Sequence, residues 1–357
     1  MIRVVELINS IDKRGGAEVF FANLCTELSK RDDIELIIVS LFDNIDSSFE
    51  FFKQSNFKFY SCHKRHKIDF KSSKYLRKII KEFNPDIINT HLGTIASYFL
   101  AFGFEKRKWK IVHTVHSSAE KEATKFDLIL RKPYLRNESL TFIAISDLVS
   151  KSILNLHPKA KITTIYNGVY FLKRENVNKD ITFICPARYC EAKNHKLLFD
   201  VFNQYADVYQ DSILECFGQG EIINDYKNYV GTLTHGQNIK LNGQVNNISN
   251  YLNRAKFFVL SSVYEGNPIS VLEALSLGIP CVVPNVGGIP DVIKDGYNGF
   301  LFDVADEKSM LEKMFEATNY PDYKSLSKRC VESVSKYSIS ETARQYIDCF
   351  NELKGNR

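Results

Sequence analysis

The stretch Ile2–Leu28, IRVVELINSIDKRGGAEVFFANLCTEL, sets the pattern from which the fold is read. Ile2–Ile8 is rich in aliphatic and β-branched residues, the composition of a strand. After Gly16 the apolar residues Ala17, Phe20, Phe21, Leu24 and Leu28 recur at i, i+3, i+4, i+7 and i+11, which lines one face of a helix. The same strand-then-helix rhythm continues through the front half. Strands are predicted over Glu35–Ser40, Asp86–Thr90, Lys110–Val115, Thr141–Ile145 and Lys161–Ile165, with helical spacing between them. Alternation of this kind means a parallel sheet with helices on both faces.

The polar segment Tyr170–Asp180, YFLKRENVNKD, breaks the alternation and reads as an interdomain linker. A second β/α series follows, with strands predicted over Ile181–Cys185, Ser212–Phe217, Ile239–Leu241, Phe257–Leu260, Pro280–Val283 and Phe300–Phe302. The tail Ser338–Leu353 returns to a helical period. The expectation is an α/β protein of two doubly wound domains, residues 1–170 and 171–337, with a C-terminal helix within 338–357 packing back toward the first domain. Ligands of such sheets bind beyond the carboxyl ends of the strands, so a cleft between two facing domains is the expected site.

Composition narrows the function classes. At 357 residues, with 44% apolar and 25% charged residues, the chain has material for two buried cores and is not a disordered polymer. No run approaches the length of apolar sequence that spans a bilayer. Met1–Ile8 reads as a strand and not as a secretory signal, so a cytoplasmic location is expected. None of the eight cysteines form a Cys-x-x-Cys pair, and several sit in apolar runs, as reduced buried thiols do. The net charge of +5 hides an asymmetry, +8 over residues 1–170 against −3 over the remainder. The window Lys53–Lys81 holds ten Lys/Arg and one acid, Asp69. That density suits either an anionic membrane surface, with Phe57, Phe59 and Tyr60 as shallow anchors and Lys64, Arg65 and Lys67 among its contacts, or phosphate, or else a solvated face.

Candidate chemistry concentrates in the second half. In Ser261–Gly288, SSVYEGNPISVLEALSLGIPCVVPNVGG, Asn267 is a suitable N-cap and Pro268 a suitable first residue for a short apolar helix. Glu265 precedes that helix start and Glu273 lies inside it. A helix N-terminus favours phosphate, and two flanking carboxylates fit a ligand that also carries sugar hydroxyls. Each acid can equally be an ordinary helix-terminal or helix-surface residue. In Ile181–Gln204, Arg188 and Lys193 stand before a helix that Asn194 is expected to cap, although a helix dipole disfavours cations there. An anion would neutralise both, and solvated loop cations are the other reading. Gly15–Gly16 lets backbone approach a phosphate, but neither dinucleotide nor P-loop fingerprint occurs. Gly218–Gln219–Gly220 reads mainly as a tight turn. His113 and His116 point to opposite faces of one strand, a poor metal pair; His116 and His91 each end a strand. The chain has no Asp-x-Asp, so no metal site is expected.

These motifs, in order, resemble the retaining GT4-type glycosyltransferases of the GT-B fold, with two facing Rossmann-like domains and the active site in the interdomain cleft. The matching residues are GGAE (15–18), HTVH (113–116), ISD (145–147), YNGV (166–169), the Arg188 and Lys193 pair, GQGE (218–221), and Glu265 with Glu273 as an E-x7-E signature. GG (287–288) and DGYNGFLF complete the series. The resemblance implies that the backbone of Gly16 approaches the donor diphosphate, and that Arg188 and Lys193 neutralise it. It implies that Glu265, with the backbone N–H groups of Gly266 and Asn267, holds donor-sugar hydroxyls, and that Glu273 binds the ribose. His116 would lie near the sugar C6 hydroxyl and the reaction centre, and Gly243–Val245 would line the base. Asn267 stands where the family often has an aromatic or aliphatic residue.

The expected function is metal-independent, retaining transfer of a sugar, most naturally from a UDP-sugar, to an acceptor hydroxyl in bacterial surface polysaccharide or lipid-linked glycan synthesis. No cofactor and no nucleic-acid partner are expected. The basic first domain would contact an anionic membrane peripherally at its inner face. A nucleotide-sugar epimerase of the same fold, or a non-catalytic glycosyltransferase partner subunit, are the alternatives.

Overall fold

A computed structural model describes residues 1–11, 16–43, 57–66, 68–103, 105, 108–123, 128–129, 134–135, 139–266 and 269–355. The chain divides into two units, Met1–Val169 with Tyr337–Arg357, and Tyr170–Lys336. In the first, β1 (Ile2–Ile8), β2 (Ile34–Ser40), β3 (Lys58–Ser61), β4 (Ile87–His91), β5 (Lys110–Val115), β6 (Leu140–Ala144) and β7 (Lys161–Thr164) form a parallel sheet. Its order is β3-β2-β1-β4-β5-β6-β7. β1 is central, and every residue in it except Arg3 is buried. That explains its near-continuous apolar reading, since a parallel strand is covered on both faces. Glu6 is the one acid in this buried run.

β3 is absent from the strands read in the sequence. It is a four-residue edge strand, KFYS, with one exposed and three half-buried residues, too short to show a period. Its presence corrects a second expectation. Phe57 is buried, and Phe59 and Tyr60 are half-buried in and beside this strand, so they are not free to act as membrane anchors.

In the second unit, β8 (Ile181–Pro186), β9 (Leu214–Phe217), β10 (Ile239–Asn242), β11 (Ala255–Val259), β12 (Cys281–Pro284) and β13 (Gly299–Phe302) are likewise all parallel, in the order β10-β9-β8-β11-β12-β13. Both sheets reverse direction of growth at their first strand, between β1 and β4 and between β8 and β11. Connections leaving such a pair run to opposite sides and open a crevice at the carboxyl ends, which is where ligands bind in this architecture. The segment 170–180 carries no helix or strand but is not slack. Asn253 accepts a hydrogen bond from the Glu175 N–H (2.9 Å) and donates to the Lys173 carbonyl (3.1 Å), and the Lys179 ammonium donates to the Asn253 and Ala255 carbonyls.

The C-terminal helix Ile339–Gly355 belongs to the first unit. The Val169 N–H donates to the Tyr337 carbonyl (2.9 Å), the Ile339 N–H to the Val169 carbonyl (3.0 Å), and the Thr342 hydroxyl to the Tyr166 carbonyl (3.0 Å). Tyr346 is fully buried, with its ring near Phe20 and its hydroxyl 3.3 Å from that of Thr114. Gly168 makes this docking possible. A Cβ there would stand 2.5 Å from Thr342 Oγ1 and 2.6 Å from the Ser338 carbonyl oxygen. Gly168→Ala is expected to destabilise the first unit by about 1–3 kcal/mol, the cost of overpacking, seen as a lower urea midpoint. An unchanged midpoint would show that the helix adapts freely.

Candidate active site

In the second unit β8 runs into the loop that carries Arg188. This side chain is exposed and, among the described residues, has no hydrogen-bond or ion-pair partner. The next residue anchors the loop: buried Tyr189 donates its hydroxyl to the carbonyls of Cys216 and Asn242, each at 3.0 Å. The glycines at 218–220 exist for this loop. A Cβ on Gly220 would lie 1.9 Å from the Tyr189 carbonyl oxygen, and the Tyr189 N–H donates to the Gln219 carbonyl (3.0 Å). Close backbone approach is therefore the reason for GQGE, more than a tight turn. The loop closes with a 3₁₀ turn, Glu191–Lys193, and the helix His195–Val208 starts behind it. Asn194 occupies the cap position, but at φ 45° its side chain makes no capping hydrogen bond, which corrects the expected cap. Asn tolerates this left-handed conformation, and the turn needs it.

β11 ends beside this loop and the two are joined. The Val263 N–H donates to the Ala192 carbonyl (3.0 Å) and the Ser261 hydroxyl to the Lys193 carbonyl (2.9 Å). Across this seam Lys193 Nζ meets Glu265 Oε1 at 2.5 Å, and the Ser262 hydroxyl donates to the same oxygen at 2.6 Å. Gly287 supports the carboxylate loop from behind. Its φ is +62°, and a Cβ there would fall 1.6 Å from the Glu265 carbonyl oxygen. Gly266 is half-buried. Asn267, with Pro268, lies outside the described residues. Glu273 sits within the helix Ile269–Ser276, where burial pushes its carboxyl up to about 7. Gly243 follows β10 and accepts at its carbonyl from the Gly218 N–H (3.3 Å). The result is a crevice edge on which Lys193 is neutralised by Glu265 while Arg188 is a cation with no compensating partner among the described residues.

In the first unit Gly16 is the exposed first residue of the helix Gly16–Leu28, and Gly15 lies outside the described residues. His116 follows β5 and is buried. Its Nε2 lies 2.9 Å from His91 Nδ1, and His91 Nε2 lies 2.7 Å from Glu6 Oε2. Asn89 donates its amide to the same Glu6 oxygen at 3.0 Å. Burial pushes Glu6 up to about 8 and His91 down to about 3, and holds His116 well below the usual histidine range. Sequence reasoning placed His116 and His91 separately and missed Glu6. The available signal was a lone acid inside the apolar run IRVVELI. His113 points elsewhere, with Nδ1 2.9 Å from the Thr90 hydroxyl.

Two family profiles match this chain in succession: Glycosyltransferase Family 4 over residues 14–170 and Glycosyl transferases group 1 over residues 170–336. The chain belongs to the GT4-type glycosyltransferases. The enzyme is 29% identical over 324 residues, 81% of each chain, to a UDP-Gal:alpha-D-GlcNAc-diphosphoundecaprenol alpha-1,3-galactosyltransferase of Escherichia coli. It is 24% identical, over 96% of each chain, to an N-acetyl-alpha-D-glucosaminyl L-malate synthase of Bacillus anthracis. Among solved structures it resembles Anabaena HepE in complex with UDP and glucose, with a TM-score of 0.81 at 13% identity, covering 98% of this chain and 100% of that one. Both parallel-sheet units are thus those of a two-domain, Rossmann-like GT-B glycosyltransferase, and the epimerase and non-catalytic alternatives fall away.

The raised carboxyl of Glu273 has a thermodynamic consequence with a definite sign. A group whose folded pKa lies above its unfolded value stabilises the fold in its neutral form, and that contribution is lost as pH rises through the folded value. For Glu273 the window runs from the ordinary 4.5 to about 7. Glu273→Gln should therefore gain stability relative to wild type between pH 5 and pH 8. Urea midpoints at the two pH values check this, and a constant difference would contradict it.

Proposed function

We propose that this glycosyltransferase is a retaining, metal-independent enzyme that transfers a hexosyl or N-acetylhexosaminyl group from a UDP-sugar to an acceptor hydroxyl in bacterial surface polysaccharide or lipid-linked glycan synthesis. The observation that carries the reading is the uncompensated Arg188 beside the Lys193–Glu265 pair, at the carboxyl ends of β8 and β11. A diphosphate supplies the missing negative charge. Arg188 can fork two of its oxygens and Lys193 adds a point charge. As the sugar leaves, charge builds on the diphosphate, and these cations stabilise that state more than the ground state. They take the part that a divalent metal plays elsewhere.

The remaining assignments complete the site. The Glu265 carboxylate and the N–H groups of Gly266 and Asn267 hold sugar hydroxyls, Glu273 holds the ribose, the Gly16 backbone meets the diphosphate, and His116 stands at the sugar near the reacting carbon. The second unit is then the donor domain and the first the acceptor side. No side chain acts as covalent nucleophile: the acceptor attacks on the face the diphosphate leaves, and the leaving phosphate takes the acceptor proton. The E. coli relative, named for a diphosphoundecaprenol-linked acceptor, supports a lipid-linked substrate.

Arg188→Ala is expected to weaken UDP binding by about 1.5–3 kcal/mol, the range for charge-assisted hydrogen bonds, or roughly 10- to 150-fold in Kd. Calorimetry with UDP reads this directly, and in the same preparation turnover should survive excess EDTA. Wild-type affinity in the variant, or abolition by EDTA with rescue by Mn²⁺ or Mg²⁺, would refute the electrostatic mechanism.

A peripheral membrane contact fits a lipid-linked acceptor, and no helix among the described residues is long and apolar enough to cross a bilayer. The contact narrows within the expected window Lys53–Lys81. Lys64 is tied to the Ser97 hydroxyl (2.9 Å), and Lys53 and Lys67 lie outside the described residues. The exposed part of the window includes Arg65 and the helix Phe70–Phe83, capped by Asp69, with Lys71, Lys74 and Lys78 on it and with Ile68 and Phe70 58% and 75% exposed. These border a groove of about 1060 Å³. Each lysine near an anionic leaflet adds about 1 kcal/mol, screened by salt. Lys71→Gln, Lys74→Gln and Lys78→Gln combined should release the protein from anionic vesicles at low salt without changing UDP affinity. Equal sedimentation of the wild type with neutral and anionic vesicles would end the membrane assignment.

A further inference from the structure

The first unit holds a polar chain that donor binding alone does not account for. Glu6 lies at the centre of β1, His91 ends β4 and His116 follows β5, and all three are buried. The atoms form a line: Glu6 Oε2 to His91 Nε2 at 2.7 Å, then His91 Nδ1 to His116 Nε2 at 2.9 Å. The last atom in line, His116 Nδ1, is buried and has no hydrogen-bond partner among the described residues. A buried histidine nitrogen without a partner is costly unless something else supplies one. The spacing also excludes a shared metal ion. Two imidazole nitrogens each bound at about 2.0–2.1 Å to one zinc-like ion would stand farther apart than these do.

The surroundings fix how this line can be wired. The Thr114 hydroxyl donates to Asn89 Oδ1 (3.0 Å), which turns the Asn89 amide nitrogen toward both Glu6 Oε2 (3.0 Å) and His91 Nε2 (2.9 Å). The Phe21 ring packs edge-on against His91, with centroids 4.9 Å apart, and Phe20 lies against His116 at 5.9 Å. No water-filled path is needed between the three groups, because each touches the next. The other titratable groups facing Glu6 are Cys25 from the helix Gly16–Leu28 and Tyr346 from the C-terminal helix. Burial, with the Glu6 charge adding to it, raises both, so neither competes for the proton. Around His116 the charged neighbour is Glu122, which accepts from the His116 backbone N–H at 2.8 Å.

We propose that Glu6 and His91 are positioning residues of a buried proton relay that sets whether His116 offers a hydrogen-bond donor or an acceptor at Nδ1. With Glu6 protonated, its O–H donates to His91 Nε2, the His91 Nδ1–H donates to His116 Nε2, and His116 carries its proton at Nδ1. With Glu6 ionised, its former proton sits on His91 Nε2 and the former His91 Nδ1 proton sits on His116 Nε2. One proton has left from His116 Nδ1, which now presents a lone pair. Each nitrogen keeps its valence, the two histidines stay neutral, and the net change is the release of one proton at the outer end. Fold burial favours the neutral form of Glu6, so the donor form dominates below about 8 and the acceptor form above it. The relay rests on the assignment of His116 to the sugar: a donor at Nδ1 can bind a hydroxyl oxygen, and an acceptor can bind its proton.

Nitrogen-15 NMR of histidine-labelled wild-type enzyme without nucleotide, from pH 6.5 to 9.5, tests the relay separately from donor binding. His116 is assigned by comparison with His116→Gln. The expected result is a one-proton change of His116 from the Nδ1–H to the Nε2–H tautomer near pH 8, absent in Glu6→Gln, where one tautomer persists. The pH profile of kcat should lose the matching limb in Glu6→Gln, while UDP affinity stays within twofold of wild type. A single His116 tautomer throughout the range in the wild type, which requires no variant to fold, would overturn the proposal, as would an unaltered titration in Glu6→Gln. Failure of Arg188→Ala to weaken UDP binding would strike the donor assignment and leave this spectrum as it is.

Discussion

The ion pair between Lys193 and Glu265 holds the second unit's candidate site together. It joins the loop leaving β8 to the loop leaving β11, the two strands between which the sheet reverses its order. Glu265 is largely buried and Lys193 only one-fifth exposed, so neither partner can be removed without leaving the other short of compensation. Ser262 shares the carboxylate oxygen, and the backbone seam from Val263 to Ala192 sets the distance. Gly220 and Gly287 are where this arrangement touches neighbouring backbone too closely for any side chain. Thus an electrostatic contact, two contact-limited glycines and a pair of parallel strands are mutually dependent, and Arg188 is left as the exposed cation at their edge.

The first unit solves a different problem with the same topology. A central parallel strand has no solvent face, so an acid placed on it must find its partners inside. Glu6 finds Asn89 and His91 on the adjacent strand and, through His91, reaches His116 at the end of the next. Glu6 and His91 meet as a hydrogen-bonded pair and not as opposite charges. Burial raises the acid and lowers the base, so a neutral carboxyl beside a neutral imidazole is the form the interior favours. Tyr346 of the C-terminal helix and Thr114 complete the network, which ties the last helix of the chain to the chemistry of the first strand.

Several motifs that mark the family prove to be structural on inspection. Ser146 of ISD caps the helix Asp147–Leu156 by accepting from the Val149 N–H (3.2 Å). Gly168 of YNGV gives the C-terminal segment room to dock. Asn298 of DGYNGFLF is buried, accepting from the Lys294 N–H (2.8 Å) and donating to the Val292 carbonyl (3.0 Å) and the Ser333 hydroxyl (2.9 Å).

The sequence by itself determined the fold class, all but one of the strands along the chain and the residue types at the candidate site. Periodicity and composition are local properties, and the strands Ile2–Ile8 and Lys110–Val115 are legible to the residue because they are buried on both faces and rich in aliphatic residues. The edge strand Lys58–Ser61 was not, because a half-exposed tetrapeptide carries no period. Arg188, Lys193, Glu265, Glu273 and His116 were legible as motif residues. That Lys193 meets Glu265, that Asn194 turns left-handed without capping, and that Lys64 is engaged with Ser97 were decided only by tertiary structure. So was the line from Glu6 through His91 to His116, whose members are 85 and 25 positions apart along the chain. Parallel pairing brings distant residues to one sheet end through long crossovers, and a pattern read along the chain does not contain that distance.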